Sequence, residues 1–129
     1  MLRFLRYAFF LVGASVLLWL STENRDVPLA LLLGAVCSLL VGVRIAIRMG
    51  SSRFSPITLA GTGGLVGLLT PALAVMLMTL KIGLHSHPAP DFTLFQVIEV
   101  LERTPFFVVG GLLAGLGMGW FWRFWGISS

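Results

Sequence analysis

Residues 81–105 read KIGLHSHPAPDFTLFQVIEVLERTP and form the longest polar interval in an otherwise apolar chain. Three of the five acidic residues, both histidines and two of the nine basic residues lie in this interval. Because the sequence on either side is almost uniformly apolar, we expect transmembrane helices to hold the interval at a membrane surface. The interval itself divides into a turn that contains histidine and proline and a short amphipathic helix.

The composition excludes an ordinary soluble domain. Of the 129 residues, 57% are apolar and only 11% are charged, whereas soluble domains carry about 25% charged residues. So few charges cannot cover the surface of a water-soluble globule, and we predict a single membrane domain over residues 1–129. The net charge of +4 comes from basic residues scattered at the ends of apolar runs. That distribution indicates membrane orientation and argues against nucleic-acid binding.

The apolar segments predict an all-α integral membrane protein with four transmembrane helices in two antiparallel hairpins. A short amphipathic interfacial helix precedes the last span. The expected spans are residues 4–20, 27–49, 56–82 and 105–122, and the interfacial helix is 93–103. The first span has the basic flank and short apolar core of a signal peptide, but no small-x-small cleavage site follows it. We therefore expect it to be retained.

Two features mark the third span. Ser55 followed by Pro56 predicts an N-cap and a proline at the first helical position. Pro71, in the middle of the span, predicts a kink, since it removes a backbone donor. The carbonyl freed by this kink needs Thr70 or a neighbouring helix as its partner in lipid.

The distribution of charge predicts the orientation. With four spans both termini share a side, and that side holds six arginines and no acidic residue. The opposite side holds three basic residues and all five acidic ones. The positive-inside rule therefore places both termini in the cytoplasm, in the cell (inner) membrane, and residues 81–105 outside.

The amphipathic helix is predicted from its capping box, in which Thr93 and Gln96 satisfy each other's backbone amides. Its apolar face consists of Leu94, Val97, Ile98, Val100 and Leu101. An acidic polar face is unusual for a helix that binds lipid, so we expect this helix to contact a protein surface. The predicted partner contacts are Phe95, Glu99, Glu102 and Arg103, with Glu99 and Arg103 forming an i,i+4 ion pair.

The turn before this helix carries a possible metal site. His85, His87 and Asp91 offer two imidazoles and a carboxylate, and three protein ligands plus water are typical of a catalytic zinc site. No further Cys, His or acidic residue lies within easy local reach. A solvated histidine pair is the favoured alternative.

Small residues at four-residue spacing predict close helix packing. They are Gly63 and Gly67 in the third span, Gly111, Gly115 and Gly119 in the last, and Gly34, Ser38 and Gly42 in the second. Since three such stripes exceed the need of a four-helix chain, we expect one to remain for a partner helix, a lipid or a pigment-like cofactor. No acidic, basic or histidine residue lies within the apolar segments 7–20, 27–43, 56–80 and 105–122, which argues against coupled transport.

These features favour a non-catalytic accessory, structural or assembly subunit of a larger membrane complex. Its expected partners are the lipid bilayer and other membrane subunits, and no cofactor is identified. One alternative is a small permease or channel that acts as a homo-oligomer through its glycine faces. A second is a metal-dependent membrane enzyme that uses His85, His87 and Asp91.

Overall fold

The computed structural model describes residues 2–22, 26–49, 55–85 and 92–125. These residues form five helices and no strand: α1 (Leu2–Ser21), α2 (Val27–Met49), α3 (Pro56–Leu84), α4 (Leu94–Glu102) and α5 (Thr104–Phe124). Helices α1, α2, α3 and the α4–α5 segment are each long and apolar enough to cross a membrane. The chain is thus all-helical, with four candidate membrane spans.

Two predicted helix starts are confirmed. The Ser55 hydroxyl accepts from the Thr58 amide at 3.2 Å, and Pro56 is the first residue of α3. At α4 the Thr93 hydroxyl accepts from the Gln96 amide at 3.3 Å, and the Gln96 side chain accepts from the Thr93 amide at 2.9 Å. Each cap satisfies amides that lack an intrahelical partner, so these local sequences determine where α3 and α4 begin.

Helix α3 is the centre of the fold. It packs most extensively against α5 and then against α2, whereas α1 makes a smaller contact with α2. Contacts pair the beginning of α3 with the end of α5, and the end of α3 with the beginning of α2. Both neighbours are therefore antiparallel to α3.

The α3–α5 contact is a contact between backbones. A Cβ added to Gly63 would collide with the Gly111 carbonyl, and one added to Gly67 would collide with the Phe107 carbonyl. The glycines at this contact include Gly63, Gly67, Gly111, Gly115 and Gly119. Without side chains between them the helix axes approach closely, which gives dispersion contact along the whole interface.

The stripe of small residues on α2 packs against the other side of α3. A Cβ on Gly34 would lie 2.6 Å from the Thr70 carbonyl oxygen, and one on Gly42 would meet the Val66 side chain. Between them the hydroxyl oxygens of Ser38 and Thr70 lie 2.8 Å apart, fully buried. The expectation that one of the three stripes would remain for a partner is therefore wrong, since all three serve packing within the chain.

The Ser38–Thr70 pair also determines how the backbone near Pro71 is satisfied. Each hydroxyl additionally lies 2.9 Å from a carbonyl of its own helix, Ala35 for Ser38 and Val66 for Thr70. Two protons serve these three contacts, so one hydroxyl donates to the other and the second donates to its own helix. The helix carbonyl within reach of the Thr70 hydroxyl is thus that of Val66, and not the Gly67 carbonyl that Pro71 leaves without a donor.

We predict that Gly111→Ala destabilises the fold and that Gly117→Ala does not. An added Cβ at Gly111 meets the Gly63 backbone, whereas at Gly117 it meets nothing within 4 Å. Overpacking costs about 1–3 kcal/mol, while alanine gains about 1 kcal/mol over glycine in a helix. Thermal unfolding in maltoside micelles should show a lower midpoint for Gly111→Ala and an equal or higher one for Gly117→Ala. Equal midpoints for the two variants would contradict the backbone contact.

Candidate functional site

Lys81 is the residue whose position differs most from the sequence-based expectation. The sequence predicts that Lys81 lies in the last turn of the third span, at the start of the polar interval, whereas in the structure α3 continues to Leu84 and Lys81 is 0% exposed. It extends the buried face of α3 after Ala74, Leu77 and Met78, at helical spacing. Lys81 is also the only lysine of the chain. The structure therefore buries a cation in the apolar interior of the molecule.

Trp19 of α1 is the aromatic partner of this cation. The Lys81 Nζ donates to the Trp19 carbonyl at 3.2 Å and lies 4.2 Å from the centroid of the Trp19 ring. The carbonyl belongs to the last turn of α1, at the negative end of the helix dipole, and it also accepts from the Thr22 amide at 3.2 Å and the Thr22 hydroxyl at 2.8 Å. A cation at this point is attracted by the helix dipole and by the face of the indole ring. Lys81 thus joins α3 to the end of α1.

Phe92 and α4 complete this cluster. The Phe92 ring is 2% exposed, and its centroid lies 6.2 Å from that of Trp19. Phe92 directly precedes the Thr93 cap, so the start of α4 fixes its position. Val100 of α4 is buried in the same hydrophobic cluster. We call the end of the molecule that contains Trp19, Lys81 and Phe92 the Trp19 end.

One polar atom at the Trp19 end lacks a partner. Trp19 is 5% exposed, and its indole Nε1 has no hydrogen-bond acceptor in the structure. A buried donor without an acceptor costs about 1–3 kcal/mol. Buried tryptophan N–H groups usually have a hydrogen-bond partner, so the unsatisfied Nε1 of Trp19 is unusual.

The proposed metal ligands are only partly visible. His85 follows the end of α3, is half-buried, and its Nδ1 lies 3.2 Å from the Lys81 carbonyl oxygen. His87 and Asp91 lie outside the described residues. Among the residues that the structure describes, no three His, Cys, Asp or Glu side chains are grouped to hold a metal. The metal site therefore stays a prediction.

Helix α4 presents its predicted contact residues outward. Phe95 is 75% exposed, and Glu99 pairs with Arg103 as expected. Val97 and Val100 pack toward the interior. The remaining apolar positions of α4 are exposed: Leu94, Ile98 and Leu101. The helix therefore has a narrow buried side, an exposed apolar side and a polar side.

A long apolar groove runs between α2 and α5 over the surface of α3. It contains two adjoining cavities of about 420 and 260 Å³. Residues shared by both are Leu39, Val66, Gly111 and Ala114. Along α5 the groove extends from Phe106 to Met118, a length of about 18 Å at 1.5 Å per residue. We call it the α2–α5 groove.

Comparison of the chain with protein families, with curated proteins and with solved structures gave no match.

Sequence reasoning missed the Lys81–Trp19 pair, although a signal was present. Lys81 follows Leu77 by four residues and Met78 by three, which is the spacing of the buried face of α3. Because Lys81 also adjoins the polar turn that contains His85 and His87, the sequence alone assigns it to that turn. Its pairing with Trp19 spans 62 residues, and periodicity within one helix contains no information about such a contact.

We predict that Lys81 is protected from amine-reactive reagents in the folded protein. Its ammonium is buried, so labelling requires local opening, and an opening cost of about 1.4 kcal/mol already slows the reaction about tenfold. Labelling with an N-hydroxysuccinimide ester in maltoside and in denaturing detergent, followed by peptide mass spectrometry, measures the protection. The terminal amine serves as the internal reference. Equal labelling of Lys81 in both detergents would contradict its burial.

Proposed function

We propose that the chain is a multi-pass subunit of a larger membrane protein complex and that the α2–α5 groove receives a transmembrane helix of a partner. The supporting observation is the groove itself, which is open along about 18 Å of α5. In lipid, helices associate through close packing against small side chains and exposed backbone. The walls of the groove include such positions on α5: Gly110, Gly111, Ala114 and Gly115.

The groove favours an apolar occupant. Its side-chain hydroxyls are those of Thr62 and Thr70, and each has a carbonyl of α3 within 2.9 Å. Among the residues that the structure describes, no charged one lines either cavity. An apolar helix therefore matches this surface better than a polar solute, which would lose hydration without gaining new hydrogen bonds. For this reason we prefer a subunit to a permease.

The orientation proposed for this subunit has both termini in the cytoplasm of the cell membrane. Five arginines of the described residues are exposed: Arg6, Arg44, Arg48 and Arg123 lie at the end opposite Trp19, and Arg103, which is paired with Glu99, follows α4. Stacked aromatic pairs, Trp120 with Phe124 and Phe121 with Trp125, lie at the same end as these arginines. Aromatic rings are typical of either membrane interface, and the excess of arginines is typical of the cytoplasmic one.

The groove offers a substitution that fills it without harming the fold. Gly110 lines the groove, yet a Cβ added there meets nothing within 4 Å. Gly117, seven residues later on the same helix, is equally unobstructed but lines neither cavity. We predict that Gly110→Leu releases the partner chain and that Gly117→Leu retains it.

The measurement is co-purification of the tagged chain from its own membranes in mild detergent, with stoichiometry by quantitative mass spectrometry. Loss of at least about tenfold of the partner with Gly110→Leu corresponds to about 1.4 kcal/mol of binding. A chain that purifies alone, without stoichiometric partners, would refute the proposal. A photo-crosslinker at Ala114 identifies the occupant, because a second copy, a different protein and a lipid give adducts of different mass.

A further inference from the structure

Two arginines near the end of α2 form an exposed basic pair. Arg44 and Arg48 are four residues apart and both are exposed, so they leave the same face of the helix with their Cβ atoms about 6 Å apart. Like charges at this spacing repel each other. An anion from outside the chain that contacts both guanidinium groups would remove this repulsion.

No carboxylate among the described residues neutralises the pair. The ion pair found in this part of the chain joins Glu99 to Arg103, and neither Arg44 nor Arg48 has such a partner. Glu102 belongs to α4 at the Trp19 end, and Asp26 directly precedes α2. At 1.5 Å per residue, Asp26 lies about 27 Å from Arg44 along the helix. The positive charge of the pair is therefore available to an external anion.

The pair lies at the depth of a lipid headgroup when α2 crosses a membrane, as the proposed function requires. Measured from Val27, the first residue of α2, Arg44 lies about 26 Å along the axis and Arg48 about 32 Å. The hydrocarbon core of a bilayer is about 30 Å thick. The two arginines therefore bracket the boundary between hydrocarbon and headgroups, where long basic side chains extend their charge into the interface.

The same face of α2 is apolar on the hydrocarbon side of this boundary. Cys37 and Val41 precede Arg44 by seven and three residues, which places them on the face of the arginine pair. Val41 is exposed and Cys37 is partly exposed. A dissolved anion would contact only the arginines. A phospholipid would contact both parts of the face, with its phosphate at the guanidinium groups and its acyl chains along the apolar residues.

We propose that Arg44 and Arg48 bind one phosphate of an anionic phospholipid in the leaflet where α2 ends. Guanidinium groups are planar and match phosphate oxygens bidentately, and an anionic headgroup carries no positive charge of its own to oppose them. In the proposed orientation this leaflet is the cytoplasmic one. The site rests on the membrane placement of α2 and not on a partner helix, since neither arginine lines the α2–α5 groove.

Native mass spectrometry of the chain from dodecyl maltoside micelles tests the site. Dioleoylphosphatidylglycerol and dioleoylphosphatidylcholine, which share their acyl chains and their phosphate but differ in net charge, are titrated separately. We expect phosphatidylglycerol to bind at least about tenfold more tightly, because each basic residue near a headgroup adds to the attraction for anionic lipid. Equal affinity for the two lipids would overturn the proposal, and this comparison requires no variant.

A pair of matched double variants tests the position of the site. Arg44→Gln with Arg48→Gln should weaken phosphatidylglycerol binding at least about tenfold. Arg6→Gln with Arg123→Gln removes the same charge from exposed arginines at the same end of the molecule and should bind within about twofold of the wild type. An equal loss in both double variants would refute the site, because it would show a general effect of net charge.

Calorimetry distinguishes the lipid from a dissolved anion. Sodium phosphate is titrated into the wild type without added phospholipid, with sodium chloride at equal ionic strength as the control. We expect no saturating heat beyond that of chloride. A saturating phosphate signal that Arg44→Gln with Arg48→Gln abolishes would assign the pair to a dissolved anion and overturn the lipid. Since Gly110 lies on α5 and outside this face, either failure leaves the co-purification test of the groove unaffected.

Discussion

The packing of α3 against α5 depends on the close contact of their backbones, which is the kind of contact that drives helix association in lipid. Glycine makes this possible, because at Gly63 and Gly111 any side chain would collide with the opposite backbone. The same principle operates on the other side of α3, where Gly34 and Gly42 admit α2. Helix α3 is therefore the axis of the molecule, and its glycine and threonine positions determine the place of both neighbours.

Because α2 and α5 pack on separate sides of α3, a third side of α3 stays open as the α2–α5 groove. A closed four-helix bundle would cover this surface with the remaining helix, but α1 makes only a small contact with α2. The small residues of α5 that line this groove without packing against α3 include Gly110 and Ala114. This arrangement is what makes a partner helix the occupant that we propose.

At the Trp19 end, in contrast, the helices are joined through the buried ammonium of Lys81. Burying an ammonium is costly, and contacts with the carbonyl and the ring of Trp19 help to offset the cost of burying Lys81. Helix α1 is joined to the rest of the molecule at this point through Trp19 and Leu20, which belong to the main hydrophobic cluster. The end of the molecule that contains the most specific chemistry is therefore also the end that attaches the first helix.

Local sequence determined the helical class of the protein, the number of long apolar segments and the starts of α3 and α4. Composition, hydrophobic periodicity and capping residues act within a few residues of each other, so a single sequence contains that information. Only the tertiary structure decided that all three small-residue stripes are used internally, that Lys81 is buried, and that its partner is Trp19. These outcomes depend on which helix surfaces meet. Periodicity indicates that one face of a helix is buried, but it does not indicate which helix covers that face. Lys81 shows this difference most clearly. Its place on the buried face of α3 follows from the spacing in the sequence, whereas its contact with Trp19 forms only when α1 and α3 lie side by side.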